Sequence, residues 1–127
     1  ILNNKLKNKN ITFLGVTFKP NTDDMREASS IPMINYLNKK GSKIRYYDPS
    51  GRKKEFDKLK NVKFYSSISS ACIKSDLIII HTEWNAFKLL DFKRLVKKKN
   101  FKVFDMRNIY SQDKMRDLRI DYTSIGR

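Results

Sequence analysis

Asp76-Leu77-Ile78-Ile79-Ile80-His81 places four large aliphatic side chains in succession. A continuous apolar run of this length is typical of a strand that is buried on both faces of a parallel sheet. A second short apolar run, Ile-Thr-Phe-Leu-Gly-Val at 11–16, predicts another buried strand. We expect the segment 76–81, which has the clearer pattern, to lie at the centre of the sheet.

Segments with strand and helix patterns alternate along the chain. Helical spacing of apolar residues begins at Ser30, the expected cap, and stops at Gly41. The other predicted elements are strands at 43–47, 62–65 and 102–105 and helices at 50–60, 67–74 and 91–98. Such alternation predicts an α/β fold with a doubly wound, mainly parallel sheet and helices on both faces, which is a Rossmann-like architecture. Ligands of such folds bind at the carboxyl ends of the strands.

Length and composition favour one globular domain. The chain has 127 residues, of which 39% are hydrophobic, and this is enough for one packed core. No apolar run approaches the roughly 18 residues of a membrane span, and the chain does not open with a signal-peptide pattern. The single cysteine, Cys72, predicts neither an internal disulfide nor a metal cluster, so the cytoplasm is expected. The polar segment 1–10 resembles the cut end of a longer protein.

The chain is strongly basic, with 28 Lys and Arg against 13 Asp and Glu and a net charge of +15. Such an excess raises nucleic acid as a partner. The basic residues are scattered, however, and no known nucleic-acid motif or aromatic-interleaved basic stripe is present. We therefore favour a solvated basic surface and expect neither nucleic acid nor membrane as a partner, while a basic nucleic-acid-binding module stays the competing hypothesis.

A long polar loop follows the first predicted strand and carries two cations, Lys19 and Arg26. Its place at a strand end favours recognition of a phosphate. Gly15 lacks the companion glycines of a dinucleotide fingerprint or a P-loop, so a complete dinucleotide site is not expected. The structural alternative is a solvated Lys19 and an Arg26 that pins the loop by pairing with Asp23 or Asp24.

Four other residues have both a chemical and a structural interpretation. Asp48 ends a strand where dinucleotide-binding folds place a ribose-binding acid, although a simple Asp-Pro turn is favoured. His81 could be a general base, but a buried, hydrogen-bonded histidine is the more usual case. Arg107 could contact a phosphate or a base, or could pair with Asp105. Cys72 could be a nucleophile, but a structural cysteine on the apolar face of a short helix is favoured.

Four segments share their order and spacing with one enzyme family. They are FLGVTFKPNTDDMRE at 13–27, YDP at 47–49, HTEWNAF at 81–87 and DMRNIY at 105–110. Together they resemble the C-terminal domain of the UDP-glucose and GDP-mannose dehydrogenases, and the last two segments resemble the UDP-glucose 6-dehydrogenase branch. GDP-mannose or a UDP-amino sugar is the alternative substrate within this family.

The resemblance implies a reaction and a set of contacts. The full enzyme would oxidise the C6 hydroxyl of UDP-glucose to the carboxylate of UDP-glucuronate in two hydride transfers to NAD, through a thiohemiacetal on a cysteine. By similarity, Phe18 and Lys19 would contact the UDP-sugar, with Lys19 on its phosphates. Arg107 would hold the nucleotide, and Arg26 would reach the pyrophosphate of NAD.

The resemblance also implies that residues 1–127 are only a C-terminal UDP-binding domain. The NAD-binding domain, the central dimerisation helix and the catalytic cysteine would belong to other parts of a homodimeric enzyme, so this chain alone is expected to be inactive and to hold no metal. Cys72 does not lie in the motif of the catalytic cysteine. Met106 stands where the family commonly has a small residue, usually glycine.

Overall fold

The computed structural model describes residues 5–126. Within them, six strands form a single sheet in the order β3-β2-β1-β4-β5-β6, and all neighbours are parallel. The strands are β1 (Asn10–Leu14), β2 (Lys43–Tyr47), β3 (Val62–Phe64), β4 (Leu77–Ile80), β5 (Lys102–Asp105) and β6 (Asp121–Ser124). This is the order of the doubly wound Rossmann fold. The predicted fold class is confirmed, and the segment 76–81 supplies the interior strand β4.

Helices cover both faces of the sheet. They are α1 (Ser30–Lys39), α2 (Ile68–Cys72), α3 (Phe92–Leu95) and α4 (Gln112–Asp117). Successive strand residues point to opposite faces. On one face, Ile34 of α1 packs in a cluster with Ile11 and Ile79. On the other face, helices α2 to α4 pack in a cluster with Ile78 and Ile80 through Cys72, Phe92 and Met115.

Cys72 is completely buried in the core and forms no disulfide. Burial raises the pKa of its thiol to about 12, so the sulfur is protonated at neutral pH. Its structural interpretation is therefore confirmed.

Two predicted helices are much shorter than expected. In the segment 50–60 the structure has only a 3-10 turn, Lys54–Phe56, and Phe56 is its one buried side chain. In the segment 91–98 the helix ends at Leu95, and Val96 is extended. Both predictions were wrong in extent, because a charged stretch with only two or three apolar anchors has too little surface to bury along a long helix face.

The C-terminal part of the chain contains two elements that the sequence analysis did not predict, α4 and β6. The backbone N–H of Lys114 donates to the hydroxyl of Ser111, which caps α4. β6 is an edge strand whose residues are alternately exposed and half-buried. Weak apolar content is usual in such an edge strand, and it hides the strand from pattern analysis.

Two element ends also differ from the predictions. The strand predicted at 11–16 ends at Leu14, because Gly15 turns the chain with a φ of +80° and Val16 donates its backbone N–H to Oδ2 of Asp48. The residue at the N-cap position of α1 is Ser29 rather than Ser30, and its side chain makes no capping hydrogen bond. The hydroxyl of Ser30 instead donates to the carbonyl of Val16, at 2.6 Å.

Of the polar segment 1–10, residues 1–4 lie outside the described part of the chain. Leu6 packs against the core cluster that contains α1, and Asn8 donates its N–H to the carbonyl of Gly41. In the described residues, no helix has both the length and the apolar character needed to cross a bilayer.

Candidate functional site

The carboxyl ends of the strands meet at one edge of the sheet. Leu14 of β1 is in register with Tyr47 of β2 and with Ile80 of β4, and Ile80 is in register with Asp105 of β5. The loops that follow these strands therefore emerge side by side. Between β1 and β4 the strand order reverses, which is where ligands of this fold bind.

The loop after β1 presents Phe18 and Lys19 at this edge. The N–H of Phe18 donates to the carbonyl of Asp24 at 3.1 Å, and the hydroxyl of Thr17 donates to the carbonyl of Lys19 at 2.9 Å. Met25 anchors the loop in the core. Phe18 is 45% exposed and Lys19 is exposed, without an ion pair among residues 5–126. Both side chains are thus available to a ligand.

Arg26 lies at the far end of the same loop. Its Nε and Nη2 each lie 3.1 Å from a carboxylate oxygen of Asp24, so the structural alternative for Arg26 is observed with Asp24 as the partner. This hydrogen-bonded guanidinium lowers the pKa of the Asp24 carboxyl. The Arg26 side chain is 88% exposed, and an exposed pair of this kind is weak enough to exchange its carboxylate for a ligand phosphate.

Arg107 is held by the end of β4. Its Nε donates to the carbonyl of His81 at 2.7 Å, and in the described residues its two Nη groups donate to nothing. Only its backbone N–H contacts Asp105. The structural alternative for Arg107, an ion pair between its side chain and that of Asp105, is therefore wrong, and the guanidinium is oriented with two donor groups that have no partner among residues 5–126.

Asp105 organises the loop that carries Arg107. This fully buried carboxylate accepts the backbone N–H groups of Arg107, Ile109 and Tyr110 at 2.8–3.1 Å and the hydroxyl of Tyr122 at 2.7 Å. Met106 is not among the positive-φ residues, and its N–H continues the ladder to Ile80. The loop backbone therefore needs no glycine there.

Asp48 has a structural role, because its carboxylate bonds to other groups of the protein. Its buried carboxylate accepts the N–H of Val16 at 2.8 Å and both the N–H and the hydroxyl of Ser50, at 2.9 and 2.6 Å. These bonds shape the Asp-Pro turn and join the ends of β1 and β2. The turn interpretation is confirmed, since the carboxylate is already committed to groups of the protein.

His81 is completely buried and has a partner at each ring nitrogen. Its Nε2 lies 2.8 Å from the hydroxyl of Ser29, and its Nδ1 lies 3.1 Å from the hydroxyl of Thr82. Burial first, and then the charge of Arg107, lower the pKa of the ring to about 4. The interpretation as a buried, hydrogen-bonded histidine is confirmed. Sequence analysis missed Ser29 and Thr82, although Thr82 directly follows the central strand.

We expect a pH dependence of stability from His81, the one histidine of the chain. In the unfolded chain its pKa is near 6.5, against about 4 in the folded chain, so only the unfolded chain takes up this proton in between. Stability is therefore complete above pH 6.5 and falls by about 3 kcal/mol as the pH drops to 4. Urea unfolding between pH 7 and 4 measures this. His81→Gln is the control, and equal slopes in both proteins would contradict the prediction.

Comparison with known proteins identifies the family. The family model described as UDP-glucose/GDP-mannose dehydrogenase family, UDP binding domain, matches residues 12–112. The UDP-glucose 6-dehydrogenase of Rhizobium meliloti (strain 1021) is 37% identical over 125 residues, which cover 96% of this chain and 28% of that protein. The chain thus spans less than a third of the length of this relative.

Two solved structures share the fold. The NDP-N-acetyl-D-galactosaminuronic acid dehydrogenase of Methanosarcina mazei Go1 superposes with a TM-score of 0.83 over 97% of this chain and 26% of its own, at 23% identity. The UDP-glucose dehydrogenase of Pyrobaculum islandicum superposes with a TM-score of 0.70 over 92% of this chain and 25% of its own, at 25% identity. Since the family model covers most of the chain, from β1 into α4, this protein belongs to the UDP-glucose/GDP-mannose dehydrogenase family.

Proposed function

We propose that this chain is the UDP-sugar-binding domain of an NAD-dependent UDP-glucose 6-dehydrogenase, which oxidises UDP-glucose to UDP-glucuronate in two hydride transfers. The relatives that carry this enzyme name support the substrate. One structural observation carries the proposal. Two successive residues at the end of β4 hold both candidate phosphate-binding segments, since His81 accepts from Arg107 and Thr82 donates to Thr17, two residues before Lys19.

The chemistry of these side chains suits a nucleotide sugar. The planar guanidinium of Arg107 still offers two Nη groups, which match two oxygens of one phosphate. Lys19 adds a mobile point charge, and the exposed ring of Phe18 offers an apolar surface to the uracil or to the sugar. In this proposal Phe18, Lys19 and Arg107 bind the substrate, and no residue of this chain is catalytic.

Arg26 would contact the NAD cofactor. Its guanidinium already holds a carboxylate by two parallel bonds, which is the geometry that a pyrophosphate oxygen pair requires. In the full enzyme, two NAD molecules would take up the two hydrides, one in each oxidation step. Because Gly15 has no companion glycines, this loop does not cradle a dinucleotide by itself.

The proposal includes the remainder of the enzyme. An N-terminal domain would bind most of the NAD molecule and supply the catalytic cysteine, and a central helix would join two subunits into a homodimer in the cytoplasm. Residues 1–127 would form the C-terminal domain, whose strand-end edge faces the nucleotide-binding domain across the cleft.

We expect Lys19→Ala and Arg107→Ala each to weaken the binding of UDP-glucose to the chain about tenfold, because each removes one charge-assisted phosphate contact. Isothermal titration calorimetry with UDP-glucose, GDP-mannose and UDP-N-acetylmannosamine measures the affinities and ranks the substrates. Lys99→Ala is the matched control. Lys99 is also exposed, but it lies shortly before β5, at the opposite edge of the sheet.

The same titration with a short DNA duplex at two salt concentrations tests the competing hypothesis. Binding of DNA alone, with a steep salt dependence and no response to Lys19→Ala or Arg107→Ala, would contradict the proposal and support a basic nucleic-acid-binding module. Preference for GDP-mannose would retain the site but change the substrate.

A further inference from the structure

We infer that His81 is a positioning residue of the proposed site, which links the loop of Lys19 and Arg26 to the end of β4 through Ser29. This inference rests on the proposed function, because it assigns a role in holding the ligand-binding groups. His81 itself is completely buried and therefore acts only through the residues that it contacts.

The hydrogen bonds determine which ring nitrogen carries the proton. The hydroxyl of Thr82 has one hydrogen, and it donates this hydrogen to the carbonyl of Thr17 at 2.9 Å. Thr82 must therefore accept from Nδ1–H of His81, at 3.1 Å. The depressed pKa keeps the ring neutral at pH 7, so Nε2 is an acceptor and the hydroxyl of Ser29 donates to it, at 2.8 Å.

The bond to Ser29 takes the place of a helix cap. Ser29 is the residue that caps α1, yet its side chain bonds to none of the helix N–H groups. A serine that accepts such a bond ordinarily has an extended backbone, whereas the backbone of Ser29 is already helical, with a φ of −67° and a ψ of −13°. Here the hydroxyl is used to attach the end of the loop to the central strand instead, while the hydroxyl of Ser30 donates to the carbonyl of Val16 near the loop's start.

The arrangement joins the cationic groups of the site through one residue. The ring of His81 holds the far end of the loop, three residues after Arg26, and its Nδ1–H supports the Thr82 hydroxyl that holds the near end at Thr17. The carbonyl of His81 accepts from Arg107. A displaced His81 would therefore move both phosphate-binding segments, without itself touching a ligand.

Two conservative substitutions, His81→Asn and His81→Gln, distinguish the hydrogen bond at Nδ1 of His81 from the one at Nε2. Asparagine can replace the Nδ1 donor but is too short to reach Ser29, whereas glutamine can present an oxygen near the place of Nε2. We expect Ser29→Ala and His81→Asn to weaken UDP binding about fivefold, the value of one hydrogen bond, and His81→Gln to stay within about twofold of the unmodified chain. The double variant S29A/H81N should bind as weakly as either single variant, because both remove the same bond.

Calorimetric titration of the 127-residue chain with UDP, and with uridine as the ligand without phosphates, measures these affinities. The advantage of UDP over uridine should shrink in Ser29→Ala and His81→Asn. Ser69→Ala is the matched control, since Ser69 is exposed and, among residues 5–126, its hydroxyl hydrogen-bonds only to that of Ser67, across 3.4 Å. Additive losses in the double variant, or equal losses in His81→Asn and His81→Gln, would overturn the inference.

Amide hydrogen exchange tests the link without any ligand. The N–H groups of Phe18 and Arg26 are both bonded to Asp24 inside the loop, and we expect them to exchange about fivefold faster in Ser29→Ala and His81→Asn. The N–H of Ile79 in β4 should not change. Unaltered exchange in the loop would overturn the inference. If the unmodified chain binds no UDP while the loop amides respond as expected, only the proposed function is contradicted.

Discussion

Replacing Asp105 with alanine is expected to lower the free energy of unfolding by about 4 kcal/mol, because each buried donor that loses its acceptor costs about 1–3 kcal/mol. The carboxylate accepts three backbone N–H groups and the Tyr122 hydroxyl. It is completely buried, so water replaces these bonds poorly. The loop that carries Arg107 should lose its shape along with this stability, and UDP binding should weaken accordingly.

Urea unfolding at pH 7 measures the effect of Asp105→Ala. Asp105→Asn retains the shape and one oxygen, and it should cost about half as much. Asp121→Ala is the control at the surface, since the Asp121 side chain is 57% exposed and, in the described part of the chain, pairs only with Lys102. This control should change stability by less than about 0.5 kcal/mol. A loss of less than 1 kcal/mol in Asp105→Ala would show that the loop does not depend on this carboxylate.

Strands that are buried on both faces of the sheet were predictable, because they contain few polar residues. β4 consists of four buried aliphatic residues. β5 also has the predicted bounds, although its residues alternate between half-buried and buried. The helix predicted at 50–60 failed because Phe56 and Leu59 are its only apolar residues and give it too little surface to bury. β6 was missed because at the sheet edge its alternate residues are exposed, so that its pattern is no more apolar than that of a loop.

The candidate site was predictable in its position but not in its internal bonds. A cationic loop after the first strand and an arginine after a later one indicate a shared edge, since parallel strands end together. The sequence predicted Asp23 or Asp24 as the partner of Arg26, and in the structure the partner is Asp24. The bond between Ser29 and His81 joins residues 52 positions apart, and no local spacing predicts such a contact.

Gly15 is the position at which a single methyl group should do most damage to the site. Its φ is +80°, and an added Cβ would lie 2.6 Å from Cβ and 2.8 Å from Oγ1 of Thr82. Both atoms are held, because Thr82 is buried and its hydroxyl is bonded to Thr17. Gly15→Ala should therefore cost about 4 kcal/mol, from about 1–2 kcal/mol of backbone strain and about 1–3 kcal/mol of forced repacking.

Gly51→Ala is the variant that distinguishes the backbone strain of Gly15→Ala from its steric cost. Gly51 also has a positive φ, +98°, but an added Cβ would meet nothing within 4 Å, so this variant carries the backbone strain alone and should lose about 1 kcal/mol. Urea unfolding of both variants gives the steric cost as the difference. Because the displaced atoms belong to Thr82, which holds the loop of Lys19, Gly15→Ala should also abolish UDP binding while Gly51→Ala preserves it. Equal stability losses in the two variants would contradict the prediction. They would mean that the ends of β1 and β4 can separate without cost, so that the close approach of Gly15 to Thr82 does not define the site.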